Sequence, residues 1–295
     1  MTLFDGYLIV DWSANATPKR GKDSIWIAFA SASGDPVELS NPATRSEACA
    51  AIIEHLDRAT KRGKRLFAGF DFPFGYPKGT ARALCGQDDW RAVWALLARM
   101  IEDDAENGNN RFAVASALNA TWTAEGPFWG HPWQHKDRYT NLLPKKPDGY
   151  GEALPPQRRQ AEKEAKGAQE TWKLYGAGSV GGQALTGIAA LERIRHATGA
   201  KVWPFEALGE ARAHVLAEIY PSLVPAHPGE KIKDAGQVRA FAKVVSTLDA
   251  NGDLAEVLSY PARLNDAIRM EEGWILGLGQ QAMLNAIQPS IPNTP

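Results

Sequence analysis

Three apolar runs of the sequence carry an acidic residue at their C-terminal end. The acids are Asp11 after residues 7–10, Asp71 after residues 66–70 and Glu218 near the end of residues 214–220. Continuous apolar runs bounded by chain breakers are typical of strands that are buried on both faces of a sheet. Unpaired carboxylates repel each other and lose hydration energy when buried. If the three strands are neighbours, a divalent cation between the acids is the simplest arrangement that stabilises the cluster.

The first 71 residues predict the elements that would position two of these acids. Residues 24–30 and 37–39 indicate two further strands joined by short turns, which together with the first strand predict an antiparallel meander. A helix over residues 46–62 leads directly into the fourth strand at residues 65–71. A strand–helix–strand connection of this kind predicts that the fourth strand runs parallel to a neighbour.

The rest of the chain predicts helices, two strands and one long irregular segment. The helices are predicted at 90–101 with Asp88 as the N-cap, at 157–170, 183–196 and 234–248, and finally at 263–278. Residues 200–206 indicate a short strand that Pro204 ends, and residues 214–220 give the strand that carries Glu218. We therefore predict one α/β domain over residues 1–295, with a five-stranded mixed sheet flanked by helices.

An aromatic, proline-rich segment interrupts this framework, and we predict an insertion or lid at residues 105–173. Residues 131–173 hold nine Lys and Arg against six Asp and Glu, which makes this the candidate basic surface of the chain. Trp129 and Trp133 could then stack against the bases of a nucleic acid. The alternative interpretation is a solvated helix beside a segment that packs on itself.

A glycine-rich turn at residues 175–182 contains the spacing G-x-G-x-x-G. No strand precedes it, so it does not fit a dinucleotide-binding turn. It could hold a phosphate through backbone N–H groups at a helix N-terminus, or it could simply allow tight packing. Lysines nearby could contact the same phosphate or remain solvated. The candidate contacts to a phosphate are Lys173, Gly176, Gly178, Ser179, Lys231 and Lys233.

The predicted last helix places an acid on its buried face. At 100° per residue, Met270, Trp274 and Leu278 define an apolar face; Glu271 falls within this face and Glu272 falls to one side. A buried carboxylate needs a partner, and a metal at the strand ends could be that partner. The wheel favours Glu271, and both acids remain candidates.

Composition narrows the classes of protein that the chain can belong to. The formal net charge is −1, so no overall basic field points to nucleic acid. Cys49 and Cys85 show no metal-ligand or redox spacing, which fits a reducing compartment. We find no signal peptide and no apolar run long enough to span a membrane. These features predict a cytoplasmic protein without a membrane partner.

The order of elements and the acidic motifs resemble a known pattern. A three-strand meander, a helix, a fourth strand and further alternating elements are similar to the ribonuclease-H-like fold. Asp11, the segment Gly69–Pro77 and the segment Glu218–Pro221 resemble the signature segments of a family of predicted nucleases, domain of unknown function 429. The resemblance covers residues 7–220 and the C-terminal helix, and the aromatic insertion lies outside it.

The resemblance implies a metal-dependent nuclease whose ligands lie on strand one, strand four and a final helix. The last-helix Asp-Ala of the family would correspond here to Glu272-Gly273. The implied catalytic residues are Asp11, Asp71, Glu218 and Glu272, and the candidate ligands of Mg²⁺ or Mn²⁺ are these four together with Glu271. The expected partner is a nucleic acid or nucleotide substrate.

Two other functions fit the same sequence. One is a protein that binds a nucleotide or a cofactor phosphate and serves cofactor biosynthesis of the molybdopterin guanine dinucleotide type, with the glycine turn and the Trp-rich loop forming its pocket. The other is an inactive interaction module, which gains support if the acids lie too far apart to share a metal.

Overall fold

The computed structural model describes residues 2–122, 125–135, 137–209 and 212–287. Within these residues the strands are β1 (Gly6–Asp11), β2 (Trp26–Ser31), β3 (Glu38–Ser40), β4 (Leu66–Phe70), β5 (Lys201–Trp203) and β6 (Val215–Glu218). They form one mixed sheet in the spatial order β3-β2-β1-β4-β6-β5. β1, β2 and β3 pair antiparallel, whereas β4, β6 and β5 continue from β1 in parallel. The predicted α/β class, meander and parallel fourth strand are confirmed.

The prediction of five strands is wrong, because six strands of the described chain join the sheet. The additional strand is β5, in which Lys201 pairs with Val215 and Trp203 pairs with Ala217 of β6. Its sequence does indicate a strand, but a run of three residues gives no information about whether it pairs at a sheet edge.

Helices cover both faces of the sheet. They are α1 (Arg45–Lys61), α2 (Thr80–Cys85), α3 (Trp90–Met100), α4 (Arg111–Asn119), α5 (Gln160–Glu164), α6 (Gly181–Thr198), α7 (Lys233–Asn251), α8 (Leu254–Val257), α9 (Asp266–Glu271) and α10 (Gln281–Ala286). Short 3₁₀ turns lie at Trp133–His135 and Pro221–Leu223. In the part of the chain that is described, no helix has both the length and the apolar character required to cross a membrane.

Strand β1 shows why the central run is apolar throughout. Leu8 and Val10 belong to the hydrophobic core beneath α1, α3 and α6, whereas Tyr7 and Ile9 belong to the core beneath α7. Successive side chains of a strand point to opposite faces, so a central strand with helices on both sides must be apolar at every position. The run can therefore end only where the strand leaves the two cores, and that point is Asp11.

Two predicted helices are much shorter than expected. The helix predicted at 157–170 is reduced to α5, and the one predicted at 263–278 is reduced to α9, with six residues. Gly273 and Gly277 adopt positive φ angles of 74° and 75°, which end the helical conformation. The backbone N–H of Leu276 instead donates to the Glu218 carbonyl oxygen at 2.9 Å. The segment after α9 thus lies beside β6 with Trp274 and Leu278 buried, whereas Met270, the third residue assigned to the apolar helix face, remains in α9 and is half-buried.

Residues of the aromatic segment contribute to the main core. Phe128 and Trp172 are buried, and their ring centroids lie 5.6 and 5.2 Å from that of Tyr76. The ring of Phe128 meets that of Tyr76 edge-to-face and the ring of Trp172 is tilted by 34° to it, and such aromatic contacts add to the stabilisation from burial alone. The aromatic content of this segment is therefore explained in part by packing against the sheet-end loop that holds Tyr76.

His214 gives the fold a dependence on pH. Its Nδ1 accepts the Leu66 backbone N–H at 3.0 Å, and its Nε2 lies 2.8 Å from Thr60 Oγ1. Burial lowers the pKa of His214 below its ordinary value of 6.5. The unfolded chain therefore binds a proton more readily, and the stability that His214 contributes is lost as pH falls below 6.5.

We expect the His214→Gln variant to lose less stability than the wild type between pH 7.5 and pH 5. Urea unfolding of both proteins at the two pH values measures this difference, and the comparison cancels the titration of all other groups. Equal losses in the two proteins would show that His214 does not contribute to the pH dependence.

Candidate functional site

Asp11 and Asp71 lie side by side at one edge of the sheet. β1 and β4 are parallel neighbours in which Val10 pairs with Phe70, so the next residue of each strand is an acid. The Trp12 backbone N–H donates to Asp71 Oδ1 at 2.7 Å, and the two acidic side chains lie close enough for each to shift the pKa of the other. Two buried carboxylates at this separation repel each other, so the site favours a proton or a cation over two bare negative charges.

The pKa values of the pair reflect this arrangement. Burial raises the pKa of Asp71 to about 6. Burial, followed by repulsion from Asp71, raises the pKa of Asp11 well above its ordinary value. The charges of Asp234 and Asp23 act on Asp11 in the same direction. A site that resists holding two negative charges favours the binding of a cation.

The pair opens into a polar pocket of about 530 Å³. Four aspartates of the described chain line it, namely Asp11, Asp23, Asp71 and Asp234, together with one arginine, Arg111. The charged side chains that line the pocket are therefore mainly negative. Ligand sites in proteins commonly have volumes of about 300–1,000 Å³, so one small molecule or one monomer unit of a polymer fits here.

Asp234 is a site residue that the sequence interpretation did not identify. It occupies the first turn of α7, and its Oδ2 accepts the Asp23 backbone N–H at 2.8 Å. The sequence marked residues 234–248 only as a helix. The available signal was an acid at the start of the helix that follows an acid-ended strand, because such a helix begins near the same sheet edge.

Glu218 is held by a buried arginine. Arg159 donates from Nη2 to Glu218 Oε1 at 2.6 Å and from Nη1 to Oε2 at 2.8 Å, and its Nε donates to Glu162 Oε1 at 2.8 Å. The Phe74 backbone N–H also donates to Glu218 Oε2. Glu218 therefore forms a bidentate ion pair, although it lies on the strand beside β4, as predicted. A carboxylate with these partners needs no metal to satisfy it.

Glu271 and Glu272 bind backbone groups away from the aspartate pair. Glu271 accepts the N–H groups of Gly79 and Ala81 at 2.9 and 2.7 Å, at the start of α2. Glu272 accepts those of Lys78 and Gln160 at 2.9 and 2.6 Å. The structure thus satisfies both acids with backbone N–H donors and does not bring either of them to the pocket of Asp11 and Asp71.

We expect Glu271→Gln to reduce stability and to leave the activity of the folded protein close to that of the wild type. The NH₂ group of the glutamine amide cannot accept a hydrogen bond, so one of the two backbone N–H donors would lose its acceptor. The loss of one charge-assisted hydrogen bond costs about 1.5–3 kcal/mol. Chemical denaturation and an activity assay on the same preparation test this. Normal stability with lost activity would instead support a role for Glu271 as a ligand.

The glycine turn reaches the pocket, but the predicted tryptophans and lysines do not. Gly176, Gly178 and Ser179 line the pocket beside the acids, and both glycines have positive φ angles, of 91° and 70°. The Lys173 Nζ lies 5.5 Å from the Trp129 ring centroid. The other predicted contacts, Trp133, Lys231 and Lys233, are exposed and are not among the residues lining the pocket.

The predicted five-carboxylate metal site is not assembled in this structure. In residues 2–122, 125–135, 137–209 and 212–287, no three His, Cys, Asp or Glu side chains are grouped closely enough to hold a metal ion. The structure brings together Asp11 and Asp71 of the predicted ligands and adds Asp234 to the same pocket. The predicted acids as a set do not share one metal site among the described residues, which is the arrangement expected for an inactive interaction module.

Comparison with known proteins gives no match. No protein-family model matches the chain, no curated protein matches it, and no solved structure matches it. The resemblance to ribonuclease-H-like nucleases therefore remains a prediction from the motifs.

Proposed function

We propose that the protein is a divalent-metal-dependent phosphodiester hydrolase, a nuclease, that acts at the pocket of Asp11 and Asp71. The observation behind this proposal is the pair itself: two neighbouring buried carboxyl groups at the ends of adjacent parallel strands, in an acid-lined pocket. A purely structural role would favour pairing each acid with a basic side chain, as occurs for Glu218, or with backbone N–H groups at both oxygens, as occurs for Glu271.

The arrangement of elements supports a ribonuclease-H-like fold. An antiparallel meander comes first, and β4 then pairs in parallel with β1. The acids on the first and fourth strands are followed by Asp234 on a helix near the C-terminal end of the chain. In this proposal, Asp234 is the helical acid nearest to the cation site, in the pocket where the sequence placed Glu271 or Glu272, and it lies outside direct ligand distance of a shared ion.

The donors present suit a hard divalent cation. Asp11, Asp71 and Asp234 offer carboxylate oxygens, which are the ligands that Mg²⁺ and Mn²⁺ prefer. Asp11 and Asp71 would hold the cation, since one or two carboxylates with waters and substrate phosphates commonly bind Mg²⁺, and Asp234 would act on it only through its negative charge in the same pocket. When bound, the cation would supply a water of lowered pKa and neutralise charge on the phosphate. The chain itself orients Asp71 through the Trp12 N–H and supplies one cationic side chain, Arg111.

A cleavage assay tests this proposal. Wild-type protein is incubated with single- and double-stranded DNA and RNA in the presence of Mg²⁺, Mn²⁺ or a chelator. We expect cleavage that requires the cation. Asp57→Asn removes a carboxylate from the exposed surface of α1, and this control variant should cleave as the wild type does. No cleavage of any polymer, or cleavage that the chelator does not reduce, would contradict the proposal.

The glycine turn favours a second candidate, a protein that binds a nucleotide or a cofactor phosphate. Gly176, Gly178 and Ser179 lie in the same pocket as Arg111. Such a protein could serve cofactor biosynthesis of the molybdopterin guanine dinucleotide type. Titration with mononucleotides discriminates between the two candidates: micromolar binding of one of them, with no cleavage of polymers, would favour the binding protein.

A further inference from the structure

Arg111 is the one cationic side chain among the described residues that line the pocket. Its Nη1 donates to Asn109 Oδ1 at 2.7 Å, and its guanidinium carbon lies 4.5 Å from the Phe112 ring centroid. Its buried Nε has no hydrogen-bond acceptor within the described structure. An arginine carries five N–H donors, so the hydrogen bond to Asn109 leaves guanidinium N–H groups available to an anion in the pocket that Arg111 lines.

The neighbouring helix leaves room for Arg111. A Cβ atom built on Gly182, in the first turn of α6, would lie 3.2 Å from Arg111 Nε and 3.3 Å from the Ala14 Cβ. Glycine at this position therefore permits the guanidinium group to lie against the start of α6. Burial lowers the pKa of Arg111 to about 10, so the group remains positively charged at neutral pH.

Tyr175 provides an aromatic face beside the same pocket. Its side chain is 50% exposed, and the residue lines the pocket together with Gly176. The backbone that carries it is fixed, because the N–H of Leu174 donates to the Trp129 carbonyl oxygen at 2.9 Å. An exposed ring on a fixed backbone can stack against a base with little loss of conformational entropy.

We propose that this pocket recognises one unpaired nucleotide, with Arg111 binding its phosphate and Tyr175 stacking on its base. The four aspartates would repel a phosphate in the absence of a cation, so binding requires a divalent cation as well as Arg111. The requirement for a divalent cation is the part of this inference that rests on the proposed function. A base within a duplex offers no free face to Tyr175, and the substrate class is therefore single-stranded nucleic acid.

Calorimetric titrations with two simple probes separate the two contacts. AMP contains both a phosphate and a base, whereas ribose 5-phosphate lacks the base. With Mg²⁺ present, we expect Arg111→Met to weaken the binding of both probes by roughly 10- to 100-fold, as expected for a lost charge-assisted hydrogen bond. We expect Tyr175→Ala to weaken the binding of AMP by roughly 5- to 100-fold and to leave the binding of ribose 5-phosphate unchanged. Tyr175→Phe should bind both probes as the wild type does.

Controls address folding and general charge effects. Arg58→Met removes an exposed arginine from α1, outside this pocket, and should bind both probes as the wild type does. Circular dichroism and thermal unfolding monitor each variant. If Arg111→Met does not fold, Arg111→Lys tests the same contact, because it keeps the charge but lacks the planar guanidinium group.

Several results would overturn this inference. They are an absence of AMP binding to the wild type at millimolar concentration with Mg²⁺, equal effects of Tyr175→Ala on both probes, and unchanged binding by the folded Arg111 variants. Cleavage of polymers without these binding effects would remove the inference and leave the proposed function. Binding with the expected pattern but no cleavage would remove the hydrolase and leave the recognition mode.

Discussion

Replacing Asp71 by asparagine should abolish metal-dependent cleavage, with a loss of roughly 10³-fold or more, and should leave the protein folded. The amide oxygen of asparagine can still accept the Trp12 N–H that binds Asp71 Oδ1 in the wild type. The variant therefore keeps the local backbone geometry and loses one of the two charges that would hold the cation. Cleavage rates of the two proteins with saturating Mn²⁺ measure the effect.

The same variant should be at least as stable as the wild type at neutral pH. Burial raises the pKa of Asp71 from 3.8 to about 6, so the folded protein binds this proton more tightly than the unfolded chain does. The wild type must therefore lose stability as pH rises through this interval, and Asp71→Asn lacks this loss. Urea unfolding at pH 4 and pH 7 without metal measures the difference.

The combination of results decides between a catalytic and a structural role for Asp71. Lost activity with retained stability supports the proposed cation site. Lost activity with a large loss of stability would indicate that Asp71 acts mainly in folding. Unchanged activity in a folded variant would eliminate the proposed mechanism.

Replacing Arg159 by methionine should lower the free energy of unfolding by about 3–5 kcal/mol at neutral pH. Arg159 is 1% exposed and lies between the carboxylates of Glu162 and Glu218, and it also donates to the Glu272 carbonyl oxygen at 2.8 Å. Its removal leaves two buried acids without their common partner. Because burial raises the pKa of Glu162 to about 7, this acid takes up a proton as pH falls, and the loss of stability should be smaller at pH 5 than at pH 8.

Two further variants make this prediction specific. Arg263→Met removes an arginine that pairs with Glu164 on the surface, with the Arg263 side chain 51% exposed, and should cost at most about 1 kcal/mol. Adding Glu162→Gln and Glu218→Gln to Arg159→Met should restore part of the stability, because the buried charges are then gone. A cost for Arg159→Met no greater than that for Arg263→Met would contradict the buried network.

The Arg159 network has a consequence for the architecture as well. Arg159 belongs to the segment between α4 and α6, whereas Glu218 ends β6. The ion pair therefore fixes the aromatic segment to the sheet edge that carries Asp71. We expect Arg159→Met to lower activity through displacement of this segment, and not through loss of a contact to the substrate.

The sequence by itself determined the central strands and the position of the aspartate pair. Residues 7–10 and 66–70 are apolar at every position because both faces of each strand are buried, and this pattern is visible without any knowledge of neighbours. Parallel pairing through the helical crossover then places Asp11 and Asp71 at the same edge. Strand character and the right-handed crossover are local properties, so the chain alone predicts them.

Only the tertiary structure decided the partners of the other charged residues. Glu218 lies at a strand end, as Asp71 does, but Arg159, 59 positions away in the sequence, binds it. Asp234 meets Asp23, 211 positions away, and so reaches the pocket that the sequence assigned to Glu271 or Glu272. An ion pair or a pocket depends on which segments, distant in the sequence, come into contact in the folded protein. Hydrophobic periodicity predicts local secondary structure and does not predict those contacts.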